Sequence, residues 1–148
     1  MRVGLDATPL LGPRTGVGRY VAGLPAEAVR TLGYLPEDDL ARMVAGAAAL
    51  VFPSWYEGFG LPALEALACG TPVVATDLPA LREVLGDQAE LVPPGDAASM
   101  ADALAKVLDD PGGEPARAAR RARAVAFTWA ACAQATLSAY RRALEAAR

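Results

Sequence analysis

The chain has 148 residues, 53% of them hydrophobic and 21% charged, with a formal net charge of −3 and no histidine. That length can bury one real core and excludes two complete Rossmann units. The acidic balance argues against nucleic acid as a main partner, and no apolar stretch approaches membrane-spanning length.

The elements follow in chain order. Met1-Arg2-Val3-Gly4-Leu5-Asp6 lacks a signal-peptide core, which gives the expectation of a cytoplasmic protein, and Arg2 to Asp6 reads as a short buried strand. Gly12-Pro13-Arg14-Thr15-Gly16-Val17-Gly18-Arg19-Tyr20 is a glycine-rich turn leading into a helix. It lacks the third glycine of a dinucleotide fingerprint, and no Gly-Lys-Ser/Thr follows to make a phosphate loop. A dehydrogenase reading would rest on this turn alone. Its acidic ribose ligand would fall near Glu37 or Asp38, at a helix start instead of a strand end.

Pro36-Glu37-Asp38-Asp39-Leu40 opens a helix running to about Ala48, and Ala49-Leu50-Val51-Phe52 then reads as a buried strand. The run from Ser54 to Ala75 is the most informative of the chain. Gly58 and Gly60 leave backbone N–H groups uncovered, and Pro62 fits the first turn of a helix that starts near Leu61. The first N–H groups of that helix have no partner within it and carry the positive end of its dipole, a natural place for a phosphate or a sugar hydroxyl.

Glu57 lies before the helix on a glycine-flanked loop and Glu65 projects from its second turn, with seven residues between them. Eight helical steps rise about 12 Å, so the two do not form a close catalytic carboxylate pair of the glycosidase kind. One carboxylate can instead accept from two neighbouring hydroxyls, as on a ribose. The plain alternative is a solvated loop residue and a helix-dipole partner worth about 0.3–1 kcal/mol.

Val73-Val74-Ala75 and Glu90-Leu91-Val92 are further short apolar strands separated by helical segments, which implies a parallel sheet covered by helices. Ligands of such sheets bind beyond the carboxyl ends of the strands, where Glu57 falls. Asp96 or Ser99 caps a helix reaching Leu108, Pro111-Gly112-Gly113 breaks it, and another begins at Pro115. Arg117, Arg120, Arg121 and Arg123 read as a solvated helix face, with contact to an anionic membrane surface or a phosphate as the alternative. Thr128 caps a last helix on which Trp129, Cys132, Ala133, Thr136, Leu137, Tyr140 and Leu144 recur at helical spacing and need a cover, either the amino-terminal strand and helix or a second subunit. Cys69 and Cys132 are too few for a disulfide framework or a zinc site and are expected as small, buried, reduced thiols, Cys69 packing against a strand, with no metal.

The segment from Ser54 to Ala75 resembles the nucleotide-sugar-binding motif of the family-four retaining glycosyltransferases, which have the GT-B architecture of two facing Rossmann-like domains. The likeness lies in the spacing of Glu57 and Glu65, the intervening Gly58-Phe59-Gly60-Leu61-Pro62 and the trailing Ala68-Cys69-Gly70-Thr71-Pro72-Val73-Val74-Ala75. It extends through Leu78 to Glu83, Leu91 to Asp96, Phe127-Thr128-Trp129 and Tyr140-Arg141-Arg142. The resemblance implies that Glu57 meets the donor sugar as the catalytic residue. It implies further that Gly58 and the backbone of Phe59, Gly60 and Leu61 bind the donor's hydroxyls or phosphate, and that Glu65 holds the ribose. The amino-terminal turn resembles the first domain of the same family, where Gly16, Val17 and Gly18 would face the donor diphosphate across a cleft.

The resemblance therefore implies an α/β fold: a single Rossmann-like parallel sheet with flanking helices and a helical tail, a partial GT-B. It divides the chain into 1–24, an amino-terminal strand, turn and helix, and 25–148, the nucleotide-sugar-binding domain. The expected substrate is a UDP- or GDP-linked sugar, with no further cofactor and an acceptor left open; transfer of a hexose would retain configuration. Much of a full enzyme is missing between the two pieces, including the Arg and Lys that grip the diphosphate; Lys106, the only lysine, matches no such position. Two readings follow: a reduced transferase, or a binding module without turnover that works with a second copy or a complementary polypeptide.

Overall fold

The computed structural model describes residues 3–5, 30 and 32–147. Four parallel strands form one sheet in the order β1 (Val3–Leu5), β2 (Ala49–Phe52), β3 (Val73–Thr76) and β4 (Glu90–Val92). The registers pair Gly4 with Leu50, Val51 with Val74 and Ala75 with Leu91. The expected parallel α/β sheet is therefore present. The expected boundary between 24 and 25 lies outside the described residues, but Val3–Leu5 is an edge strand of the same sheet as the residues beyond that boundary.

Six helices follow in the described residues: α1 (Glu37–Ala45), α2 (Leu61–Ala68), α3 (Pro79–Leu85), α4 (Ala97–Asp109), α5 (Gly113–Val125) and α6 (Trp129–Ala146). The fully buried β2 and β3 show why a continuous apolar run works here, since alternate residues serve opposite faces. Leu50, Phe52, Val73 and Ala75 pack with Ala66 and Leu67 of α2, Leu81 and Leu85 of α3 and Ala124 of α5. Ala49, Val51 and Val74 pack on the other face with Met100, Ala103 and Val107 of α4.

Local chemistry sets the element ends. Asp96 caps α4, its carboxylate accepting from the Ser99 N–H at 3.0 Å, and Thr128 caps α6 through the Ala131 N–H at 3.0 Å. α1 stops at Ala45, three residues before the expected end, because Gly46 takes the capping position and Ala49 already enters the sheet. α5 begins at Gly113 and not at Pro115. At the end of α2, Gly70 with φ +75° donates to Leu67 O and Thr71 donates to Ala66 O, the paired bonds of a Schellman turn.

Three expectations about side chains are corrected. Arg120 is only 8% exposed: its Nε donates to Gly70 O and its Nη2 to Pro111 O, both at 3.0 Å. Arg123 likewise donates through Nε to Val84 O at 3.0 Å and lies over the Phe127 ring at 5.1 Å. These arginines dock α5 on the carbonyl-rich ends of α2 and α3, so the basic cluster is not a simple solvated face. Cys132 is exposed, because α6 has no cover among the described residues; Trp129, Leu137, Tyr140 and Leu144 are exposed with it. Cys69 is half-buried against a helix instead of a strand, its thiol donating weakly to Ala41 O of α1 at 3.8 Å.

Candidate functional site

Because the sheet is parallel, the connections that leave β2, β3 and β4 share one edge of the molecule, and Glu57 lies in the first of them. Ser54 Oγ donates to Glu57 Oε1 at 2.6 Å, fixing a half-buried carboxylate while leaving its second oxygen without a partner among the described residues. Ser54 was not singled out from the sequence. Its signal was a Ser three residues before a Glu, the spelling of a capping box, used here on a loop to orient an acid.

Gly60 is the N-cap of α2, left-handed at φ +91°, and buried. A Cβ there would collide with Leu81 Cδ2, so only glycine permits this close approach of the helix start to α3. Gly60 O accepts from the Ala63 and Leu64 N–H groups at 3.1 and 3.2 Å, and Pro62 has no donor. The N–H groups of Gly60 and Leu61 donate to no described residue. They form the unpaired positive end of α2 immediately after the Glu57 loop.

Glu65 is exposed in the second turn of α2, one turn before Cys69. Partial burial pushes the Cys69 thiol up, and the Glu65 charge adds to that, so the carboxylate lies on the side of α2 that carries Cys69. Among the described residues neither Glu57 nor Glu65 enters an ion pair. Both acids thus flank the start of one helix with free acceptor capacity.

Aromatic residues wall this edge. Phe59, beside exposed Gly58, meets Phe127 edge-on with ring centroids 5.8 Å apart. Trp55 reaches across to Gly95 in the connection after β4, a contact that no local signal in the sequence announces. After β3, Arg82 Nε and Nη2 donate to Asp77 Oδ1 and Oδ2 at 2.7 and 2.6 Å; these hydrogen bonds hold the Asp77 carboxyl below the usual carboxylate range. Gly16, Val17 and Gly18 lie outside the described residues. A cavity of about 240 Å³ lies at the other end of the sheet, against Ala48 and Pro72 just before β2 and β3, and not between the two glutamates.

Comparison with known proteins gives this edge a setting. The family model of Glycosyl transferases group 1 matches residues 22–125. O-antigen chain mannosyltransferase B of Escherichia coli is 44% identical over 76% of this chain and 30% of that protein. The MMP alpha-(1->4)-mannosyltransferase of Mycolicibacterium hassiacum is 37% identical over 96% of this chain and 36% of its own length. Among solved structures, sucrose-phosphate synthase from Thermosynechococcus elongatus superposes with a TM-score of 0.74 at 31% identity, over 97% of this chain and 38% of that one. The chain thus spans roughly a third of the relatives it matches. With the family model covering the Glu57 loop, α2 and the strands that carry them, the chain belongs to the group 1 glycosyltransferases.

Proposed function

We propose that the carboxyl edge of the sheet binds a nucleotide-diphosphate sugar, UDP- or GDP-linked, for transfer of its hexose to an acceptor with retention of configuration. The observation that carries this reading is the unpaired amide pair of Gly60 and Leu61, set at a helix start beside a carboxylate that Ser54 holds in place. In this reading Glu57 faces the donor sugar, Gly58 and the backbone of Phe59, Gly60 and Leu61 meet its hydroxyls or phosphate, and Glu65 accepts from the ribose hydroxyls. Gly16, Val17 and Gly18 would approach the diphosphate from the amino-terminal piece.

The chemistry asked of these groups is modest. A donor phosphate oxygen helps deprotonate the attacking hydroxyl, while the protein orients the donor and stabilises the departing diphosphate. Transfer from a nucleotide sugar by the chain, compared with Glu57→Ala, tests it. Equal turnover by the two proteins would remove Glu57 from the reaction.

A second reading is favoured by one observation: among the described residues nothing covers α6, whose Trp129, Leu137, Tyr140 and Leu144 are exposed. In that reading the chain recognises the donor without turning it over and completes a cleft with a second copy or a complementary polypeptide. Nucleotide binding without transfer would select it.

A further inference from the structure

The cavity of about 240 Å³ at the amino-terminal end of the strands has no part in the donor reading, and among the described residues the only charged side chains that line it are two arginines. Arg117 and Arg120 line it together with Gly70, Thr71 and Gly113. Arg121 lies beside the wall without lining it: its Nη1 and the Arg117 Nε lie 3.0 and 3.5 Å from where a Cβ on Gly70 would be. Within 4 Å of these cations the described residues place one carboxylate, Glu114, bonded to Arg121 and 3.9 Å from Arg117 Nε, while Asp110 accepts from Gly112 N between the lining residues Pro111 and Gly113.

Arg120 has five N–H groups, of which Gly70 O and Pro111 O take two. The other three have no described acceptor and no described carboxylate pairs with them; no side-chain nitrogen among the described residues is both buried and unbonded, so the free guanidinium nitrogen of Arg120 is open to solvent. Burial, with Arg117 and Arg121 adding to it, pushes Arg120 below the ordinary arginine range. Arg117 and Arg120 put two positive charges on the wall of a small cavity, one of them buried, and Glu114 at 3.9 Å from Arg117 offsets part of the other, which favours an anion there. A phosphate monoester carries about −1.5 to −2 at neutral pH and offers the oxygens that guanidinium forks pair with, whereas a carboxylate neutralises only one charge. The volume lies below the ordinary range for drug-sized ligands, so the ligand is small.

We propose that this cavity binds the phosphate group of a small molecule through Arg117 and the remaining N–H groups of Arg120, at the end of the sheet opposite the donor edge. The site is independent of the donor reading, because it uses the opposite end of the strands.

The test is an amide chemical-shift titration of the whole chain with inorganic phosphate, repeated with acetate and with Arg117→Ala. Arg117 is half-exposed, so the variant is expected to fold, which circular dichroism checks. Saturable shifts of Gly70, Thr71 and Gly113, weakened at least about tenfold by Arg117→Ala and much smaller with acetate, are the expected result. Shifts confined to Gly60 and Leu61, equal binding by the variant, equal response to acetate, or no saturable shift would each overturn it.

Discussion

A Cβ on Gly95 would lie 2.7 Å from Cη2 of Trp55 and 3.2 Å from its Cζ2, so the indole rests on the bare backbone of the connection between β4 and α4. That contact ties the loop after β2 to the loop after β4, with β3 between them, and so holds the Glu57 loop against the sheet edge.

Gly95→Ala is therefore expected to displace Trp55, and its φ of +78° adds strain for any residue with a side chain. The left-handed backbone costs about 1–2 kcal/mol of stability. Because Trp55 is already 57% exposed and Trp129 also emits, the displacement is read as a small red shift of emission in a Trp129→Phe background. Unchanged emission would show that the two loops are not coupled.

Gly60→Ala meets two penalties at once: a left-handed backbone at φ +91° and a collision with the buried Leu81. About 2–4 kcal/mol should be lost, read from the denaturant midpoint, and nucleotide binding should weaken with it. Gly58→Ala is the control, since a Cβ there meets nothing within 4 Å. It should leave stability within about 0.5 kcal/mol.

Arg120→Met keeps much of the buried volume but leaves Gly70 O and Pro111 O without their donor. A loss of about 2–3 kcal/mol is expected in chemical denaturation, more than for any single change at exposed Arg42. A neutral result would mean that the guanidinium contributes nothing to docking α5.

Acid stability should depend on two carboxylates. The Ser99 N–H and then its hydroxyl hold the Asp96 carboxyl below the usual range, as the Arg82 hydrogen bonds do for Asp77. Both folded-state values lie below the unfolded ones, so the unfolded chain binds more protons in acid. Their contribution is fully present above about pH 4 and is lost as pH falls through the folded-state values. The double variant Asp77→Asn, Asp96→Asn should show a flatter fall of stability below about pH 4, measured by denaturant titration across the acid range.

What could be read from the chain in advance was whatever local chemistry sets. The apolar runs Ala49–Phe52 and Glu90–Val92 became strands with those bounds, Gly60-Leu61-Pro62 marked the start of α2, and Thr128 marked that of α6. What escaped was set by partners distant in sequence. Arg120 looked like a surface charge because its acceptors, Gly70 O and Pro111 O, arise only once α5 docks beside the end of α2. Cys132 looked buried because helical spacing shows an apolar face without showing whether anything covers it. Of the donor edge, the glutamates and glycines were legible, whereas the Ser54 anchor and the Trp55 contact with Gly95 depended on the folded loop.

The most direct test of the donor reading is calorimetric titration of the chain with UDP and GDP, beside the Glu65→Ala variant. Saturable binding of one nucleotide, weakened at least about tenfold by the loss of Glu65, is the result expected if that carboxylate holds the ribose. Absence of binding to either nucleotide, or equal affinity in the variant, would contradict a donor site at the carboxyl edge of this sheet.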